Sequence, residues 1–379
     1  MKRVLYISLV DWFWIKQRPQ QLCEQLSDLN YYVDYFCIRA WKNKNKVQKH
    51  SEGDDIGLNN IEITDKLRIF RNHVIPKGEY TLINNINGLY LRTKIDKLFS
   101  DNNYDFIVVT HPSQLLYLSK HVRQKAKIIY DCMDSYKDFP MNKYSKNRVI
   151  KLEKKIINIA SNIIVSSTQI KNNLISTYKI SSQSIKTINN GVDINNFNIN
   201  KLSQVTSDEL LKKKNNISRK ITYIGTISNW VDLKLVIDTA DFFKKDTFYL
   251  IGPIDIDVPK QLPDNIIFTG PKRYELIPLY IGESDILLMP FKLNDVVKSV
   301  NPVKLYEYLA MGKDIIATKY SETLRFSSLV YLYSSKKEFF HYISILGKEK
   351  NEETIEKRIL FAKKNSWQSR ASALTEILR

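Results

Sequence analysis

The sequence predicts an α/β protein built from two parallel-sheet halves, and three observations carry that expectation. Short apolar runs alternate with helix-length amphipathic segments along the chain, as strands do when helices cross between them. A length of 379 residues favours two domains. One block, residues 285–318, reads strand, loop, helix, strand in a single pass. In it Asp285–Pro290 is a short apolar run suited to a buried parallel strand, and Lys292–Asn301 is a polar loop. Pro302 stands where a helix begins, a position where its missing N–H costs nothing. Leu305, Tyr308 and Leu309 recur at helical spacing, Gly312 closes the helix, and Asp314–Thr318 returns as a strand.

A helix N-terminus at the carboxyl edge of a parallel sheet is an anion site. Glu307, one turn in, can reach sugar hydroxyls. Lys304 adds positive charge to the first turn, which an anionic ligand would offset.

The first half opens with a strand at Lys2–Leu9, a loop, a helix from Arg18-Pro19 to about Leu29, and a strand at Tyr31–Ile38. No G-x-G-x-x-G occurs there, so a dinucleotide cofactor gains no support. Trp12, Phe13 and Trp14 cannot all point inward from one short element; they are either acceptor-facing or packed. Residues 41–60 are polar and read as an exposed loop. Leu67–Val74 follows as a strand and Leu89–Phe99 as a helix. Tyr104–Val109 is a strand that ends in Thr110-His111-Pro112, which sets a histidine at the carboxyl end of a parallel strand. Lys127–Tyr130 is a strand closed by Asp131-Cys132-Met133-Asp134. Asp131 suits either acceptor contact or a capping role.

Residues 143–160 form a basic helix with Val149, Leu152, Ile156 and Ile159 inside and Arg148 among the outward cations. That is a solvated face or a surface for anionic lipid. Asn162–Ser167, Thr168–Tyr178 and Lys186–Ile188 complete this half as strand, helix and strand. Residues from about 200 to 216 are loop or short helix.

The second half starts with a strand at Lys220–Ile224 leading into Gly225-Thr226, where small residues let backbone approach a phosphate. Leu233–Phe243 is a helix. Thr247–Ile251 is a strand ending in Gly252, and Ile266–Phe268 is a strand ending in the Gly270–Arg273 turn with Lys272. Tyr274–Tyr280, Lys336–Leu346 and Glu352–Lys364 are helical, with a strand at Val330–Tyr333.

Composition sets limits. No run of 18 apolar residues occurs, so no transmembrane helix is expected, and the N-terminus reads as a strand and not a signal peptide. Cys23, Cys37 and Cys132 form neither a metal spacing nor a disulfide framework, which suits a reducing cytoplasm. Net charge is +18; residues 1–200 hold 30 basic and 18 acidic side chains. The excess suits an anionic partner such as phosphate or an anionic membrane, or it reflects a lysine-rich composition throughout. No nucleic-acid module is recognisable. Asp255-Ile256-Asp257 lacks the flanking strand that a metal-binding D-x-D needs, so no metal is expected.

The block at 302–317 resembles the donor site of GT-B glycosyltransferases, above all the retaining family-four group, with its "P-x-K-x-x-E-x-x-A-x-G-x-P-V-V-A" helix. Pro302, Lys304, Glu307, Ala310 and Gly312 match, and Asp314 stands where proline is usual. Asn190-Gly191-Val192-Asp193 with Phe197 resembles the family's passage between halves, and Asn365-Ser366-Trp367 with Arg370 and Leu374 its C-terminal helix.

The resemblance implies two Rossmann-like domains facing across a central cleft: 1–190 for the acceptor, 191–360 for the nucleotide sugar, and 361–379 crossing back. It implies a retaining, metal-independent glycosyltransferase using a UDP- or dTDP-sugar, with no cofactor beyond the donor. The acceptor is a glycan or a polyprenyl-diphosphate-linked sugar of bacterial surface polysaccharide such as capsule, assembled in the cytoplasm or at the inner membrane face. His111 takes the role of the family's donor-contacting histidine or is an ordinary loop histidine before Pro112. His111 and Glu307 are the catalytic candidates. Gly225, Thr226, Gly252, Lys272, Arg273, Ser299, Asn301, Pro302, Val303 and Lys304 are the donor candidates. Trp12, Arg18 and Asp131 are the acceptor candidates.

Two departures stand out. Ser299 occupies the position of a sugar-facing glutamate, and no Arg or Lys follows Gly225 before Lys234. Lys304, helix amides and Arg18 remain to hold the diphosphate. The alternatives are a non-catalytic nucleotide-sugar-binding partner subunit and a UDP-sugar epimerase, which five histidines make less fitting.

Overall fold

Two sheets carry the chain, each growing outward from its first strand. In the computed structural model, residues 1–40, 60–76, 80–200, 218–348 and 351–379 are described. The expected loops at 41–60 and about 200–216 lie almost wholly outside them. The chain divides into two compact units, residues 1–189 with 367–379, and residues 190–366.

In the first unit β1 (Arg3–Ser8) is buried along nearly its whole length, as a strand covered on both faces must be. Next come α1 (Arg18–Asp28), β2 (Tyr32–Ala40), β3 (Asn60–Thr64), β4 (Leu67–Val74), α2 (Thr81–Asn102) and β5 (Phe106–Val109). Then follow α3 (Lys120–Lys125), β6 (Lys127–Cys132), α4 (Lys143–Ile159), β7 (Asn162–Val165), α5 (Thr168–Tyr178) and β8 (Ile185–Thr187). The sheet order is β3-β4-β2-β1-β5-β6-β7-β8, parallel except for β3 against β4. The polar edge strand β3, with mostly exposed side chains, was not expected; it pairs with β4 in place of a buried neighbour. On α4, Ile156 is buried as expected but Ile159 is exposed, because the inward face runs through Glu153, Ile156 and Ile157 and Ile159 lies off it. Glu153 is buried instead, its carboxylate accepting from the hydroxyls of Tyr130 (2.6 Å) and Tyr178 (2.6 Å).

The second unit runs β9 (Lys220–Ile224), α6 (Leu233–Phe242), β10 (Thr247–Ile251), β11 (Ile266–Gly270), α7 (Ile277–Glu283), β12 (Ile286–Met289), α8 (Asp295–Ser299), α9 (Val303–Ala310), β13 (Asp314–Thr318), β14 (Tyr331–Tyr333), α10 (Lys336–Ile345) and α11 (Glu352–Lys364). All six strands are parallel, in the order β11-β10-β9-β12-β13-β14. The expected helix at Tyr274–Tyr280 is a 3-10 turn at Tyr274–Leu276 followed by α7, with Pro278 in the first turn of the α-helix. The loop expected at Lys292–Asn301 contains α8, capped by Asn294, whose side chain accepts from Val297 N–H at 2.8 Å. Pro302 caps α9 and does not lie inside it.

The final helix, α12 (Trp367–Thr375), belongs to the first unit. It packs on α1, and Lys2 donates to the carbonyl of Leu378 at 3.1 Å. No helix among the described residues is long and apolar enough to cross a membrane.

Candidate functional site

Each sheet reverses its strand order once, and chemistry gathers at the carboxyl ends beside each reversal. In the second unit the reversal lies between β9 and β12. The chain leaves β9 at Gly225 (φ +143°) and β10 at Gly252 (φ +146°), backbone conformations that side-chain-bearing residues rarely adopt. A Cβ on Gly252 would stand 2.2 Å from the carbonyl oxygen of Gly225. The two turns therefore stack backbone on backbone. Tyr223 locks the first turn by donating to the carbonyl of Thr226 (2.9 Å), and the Tyr308 hydroxyl accepts from Ile224 N–H (3.2 Å).

Helix α9 presents Lys304 and Glu307 to this edge. Among the described residues neither side chain makes a hydrogen bond, although both are partly buried. Burial pushes the Glu307 carboxyl up to about 7; Lys304 opposes the rise and Asp193 adds to it. Burial also lowers the Lys304 ammonium, against the pull of Glu307. A carboxyl with open acceptor sites and a lysine lying over a glycine turn suit hydroxyls and an anionic oxygen. Asp193 was noted in the sequence only as part of a signature; the structure adds its electrostatic effect on Glu307.

Other donor candidates fall into different roles. Ser299 is 1% exposed and donates to the carbonyl of Val296 at 2.7 Å. Its short side chain bonds back to its own helix. Asn301, also 1% exposed, accepts from Asn190 N–H (2.9 Å) and Tyr306 OH (3.2 Å), while its carbonyl accepts from Asn190 Nδ2 (2.8 Å). It fastens the start of the second unit to the approach of α9. Its Nδ2 is buried without a partner among the described residues. Pro302 is buried and Val303 half-buried beside it. Lys272 and Arg273 are exposed, Lys272 over the Tyr280 ring (5.6 Å) and Arg273 near Glu275 (3.5 Å).

In the first unit the reversal lies between β1 and β5. There a cavity of about 780 Å³ is lined by Leu9 and Val10 after β1 and by His111 after β5. His111 caps a 3-10 helix at Pro112–Tyr117; its Nδ1 accepts from Ser113 N–H at 3.1 Å and contacts Ser113 Oγ at 2.8 Å. An Nδ1 that accepts leaves the proton on Nε2. Burial lowers the imidazole to about 4, so at neutral pH His111 is a neutral donor through Nε2 and not a proton shuttle.

The acceptor candidates divide between the core and the loop after β1. Arg18 (3% exposed) and Asp131 (0% exposed) form a buried ion pair at 3.0 Å, joined by the Tyr6 hydroxyl on Asp131 (2.9 Å). Arg18 also donates to the carbonyl of Ile188 at 2.8 Å. Two charges so enclosed brace the fold, with the Arg18 guanidinium committed to Asp131 and to backbone carbonyls after β8. Trp12 packs edge-on against Tyr35, and Trp14, two residues on, lines the cavity in its place. Of the three aromatics that the sequence left as acceptor-facing or packed, Trp14 is thus the one at the cavity, and Arg148, expected among the outward cations of its helix, lines the same cavity.

Comparison with known proteins fits this geometry. Residues 19–196 match the family described as Glycosyltransferase Family 4. A relative named for teichuronic acid biosynthesis, glycosyltransferase TuaH of Bacillus subtilis (strain 168), is 27% identical over 258 residues; the match covers 64% of this chain and 64% of that protein. Among solved structures, sucrose-phosphate synthase from Thermosynechococcus elongatus is similar at TM-score 0.71 and 14% identity, covering 100% of this chain and 98% of that one. Anabaena HepE in complex with UDP and glucose is similar at TM-score 0.69 and 14% identity, covering 100% and 99%. An E. coli trehalose-6-phosphate protein bound with UDP-2-fluoro glucose is similar at TM-score 0.73 and 9% identity, covering 100% and 99%. The chain therefore has the GT-B fold, and its residues 19–196 resemble Glycosyltransferase Family 4.

Proposed function

We propose that this protein transfers a sugar from a UDP- or dTDP-sugar to a glycan or lipid-linked acceptor during assembly of a bacterial surface polysaccharide. The carrying observation is the edge of the second sheet, where Lys304 lies over the Gly225 turn with Glu307 next along α9, neither side chain hydrogen-bonded among the described residues. Glu307 accepts from the ribose hydroxyls. Lys304 and the α9 amides hold the diphosphate and stabilise it as it departs, chemistry that proceeds without a metal. Turn backbone at Lys272 and Arg273 receives the base. His111 keeps its catalytic assignment, as a neutral hydrogen-bond donor through Nε2. No side chain is assigned as a general base, in keeping with retention at the anomeric carbon. Support comes from the relative named for teichuronic acid biosynthesis and from HepE, whose complexes contain UDP, glucose and UDP-glucose. Work at the cytoplasmic membrane face is part of the proposal.

The test is a thermal-shift series of the purified protein with UDP, GDP, dTDP and their sugars. A nucleotide that binds the folded state raises the melting temperature by mass action. One selective diphosphate shift, lost in Glu307→Ala, is the expected result; no shift with any nucleotide sinks the donor assignment. One observation favours a non-catalytic partner subunit: Ser299 is buried against its own helix, so the second carboxylate of the resembling enzymes has no stand-in there. Bound nucleotide without turnover of any acceptor would support that reading.

A further inference from the structure

The loop that follows Gly225 carries a side chain with no role assigned above. Val231 N–H donates to the Ser228 carbonyl at 2.9 Å, which puts Asn229 and Trp230 at the tip of a tight turn. Trp230 is 39% exposed, the one exposed tryptophan among the described residues. Its backbone is pinned on both sides. Ile227 N–H donates to the Pro253 carbonyl (2.8 Å), Asp232 N–H to the Pro290 carbonyl (2.7 Å), and Lys292 N–H to the Trp230 carbonyl itself (2.8 Å). These bonds tie the turn to the chain leaving β10 and to the chain leaving β12. The indole is held too, since the Trp230 side chain hydrogen-bonds the Tyr223 hydroxyl. An indole N–H can only donate, so this bond turns the N–H inward and leaves ring surface to the solvent. Leu293, one residue beyond the Lys292 bond, adds apolar surface at 45% exposed.

A rigid aromatic ring left in water binds a partner at little entropic cost. The place of this ring says what it meets. Tyr223, which holds the indole, also reaches Gly225: a Cβ on that glycine would stand 3.1 Å from the Tyr223 hydroxyl and 2.7 Å from Lys304 Nζ. The indole is therefore one phenol away from the point where Lys304 crosses the turn. A diphosphate held by Lys304 brings its outer substituent, a sugar, within reach of the ring. Ser299 offers that sugar no polar contact, because its hydroxyl is committed to the Val296 carbonyl. A pyranose has a face of C–H bonds that packs on an indole. A carboxylate has none, and the negative face of the ring repels it.

We propose that Trp230 is a specificity-determining residue of the donor site: the sugar of the donor lies with its C–H face on the indole, so that the site takes a neutral hexose or N-acetylhexosamine and discriminates against a hexuronate. The proposal rests on the donor reading above, since the diphosphate must sit at Lys304 for the sugar to reach the ring. It deepens that reading by naming the class of sugar and the side chain that recognises it. Tyr223 then serves twice, closing the Gly225 turn through the Thr226 carbonyl and fixing the indole over it.

The test is calorimetric titration of the whole protein with UDP, dTDP, UDP-glucose, UDP-galactose, UDP-N-acetylglucosamine, dTDP-glucose and UDP-glucuronate. At least one neutral sugar nucleotide is expected to bind tighter than UDP-glucuronate. Trp230→Ala is expected to weaken that nucleotide by about three- to tenfold while UDP and dTDP bind unchanged, since one aromatic contact is lost. Trp230→Phe, which keeps a ring and removes the N–H, is expected to retain most of the affinity. A cooperative urea transition certifies each variant as folded. Equal losses for the free diphosphates and the sugar nucleotides would overturn the proposal, because Trp230 would then act through Tyr223 on the turn alone. Equal losses in Trp230→Phe and Trp230→Ala would overturn it too, as would a parent that prefers UDP-glucuronate. Binding of a diphosphate with no response of any sugar nucleotide to Trp230→Ala would sink this proposal and leave the donor reading standing. Failure of both UDP and dTDP to bind would sink the two together.

Discussion

Lys304 lies directly over Gly225: a Cβ added to that glycine would stand 2.3 Å from Lys304 Cε and 2.7 Å from Nζ. The glycine is required twice, by this approach and by its φ of +143°. Gly225→Ala is expected to displace the lysine and to cost about 1–3 kcal/mol of backbone strain. Urea unfolding should register the strain, and a UDP titration should register the lost lysine. A variant that binds UDP as the parent does would remove Lys304 from the diphosphate site.

Lys304 and Glu307 are assigned to different parts of one ligand, so their variants should separate. Lys304→Met is expected to weaken UDP by about tenfold or more while leaving uridine nearly unchanged. Glu307→Gln is expected to weaken UDP and uridine alike. Equal losses for both ligands in both variants would contradict the division of labour.

Proton linkage gives a second handle on Glu307. Its carboxyl is raised to about 7 by burial, and a ribose hydroxyl donates best to the ionised form. Binding should therefore draw the carboxyl downward and release a proton, and UDP affinity should climb between pH 6 and pH 8. For stability the sign is opposite. The folded state holds this proton more tightly than the unfolded chain, so the group's contribution is full below about pH 4.5 and fades as pH rises through about 7. Calorimetry in buffers of differing ionisation enthalpy reads the released proton. Persistence of the same pH slope in Glu307→Gln would assign it to another group.

His111 offers a contrasting titration. Its imidazole, lowered to about 4 by burial, stays neutral throughout the range in which Glu307 titrates. The folded state resists protonation that the unfolded chain accepts near 6.5. Its effect on stability is thus absent above that pH and becomes destabilising as pH falls toward 4. The imidazole proton resonance is expected to move only below about pH 5. Movement near pH 6.5 would mean that the Ser113 contacts do not hold the ring as described.

The Arg18–Asp131 pair should behave as structure and not as binding surface. Removing one partner strands a buried charge, so Arg18→Ala or Asp131→Leu is expected to cost about 3–5 kcal/mol. The Arg18→Met/Asp131→Leu double variant should recover much of that. Denaturant titration of the three variants decides it; additive losses would show that the two charges are not a unit.

Much of this was legible because parallel strands announce themselves. Runs such as Lys220–Ile224, Thr247–Ile251 and Asp314–Thr318 are buried on both faces, and the structure returns them with the expected limits. The α9 block was legible because proline, glycine and helical spacing all agree there. What could not be read was pairing across distance. Nothing local marks Asp131 as the partner of Arg18, 113 residues away. Asn301 reads as loop until Asn190, 111 positions earlier, is seen to meet it. Arg148 looked like one more cation on a basic helix because its neighbours Asn84 and Asn85 come from α2. Polar side chains in cores are chosen by their partners, and partners are a property of the fold.

Helix α12 lies on α1, while the whole second unit intervenes between them in the chain. The first unit is therefore synthesised in two instalments. While residues 190–366 are being made, the surface of α1 that will receive α12 stays bare, and the second unit, being continuous, can close on its own first. Nascent first units with an open apolar seat are the species on which a chaperone would act, and a peptide of residues 367–379 supplied in trans is the natural reagent for catching them.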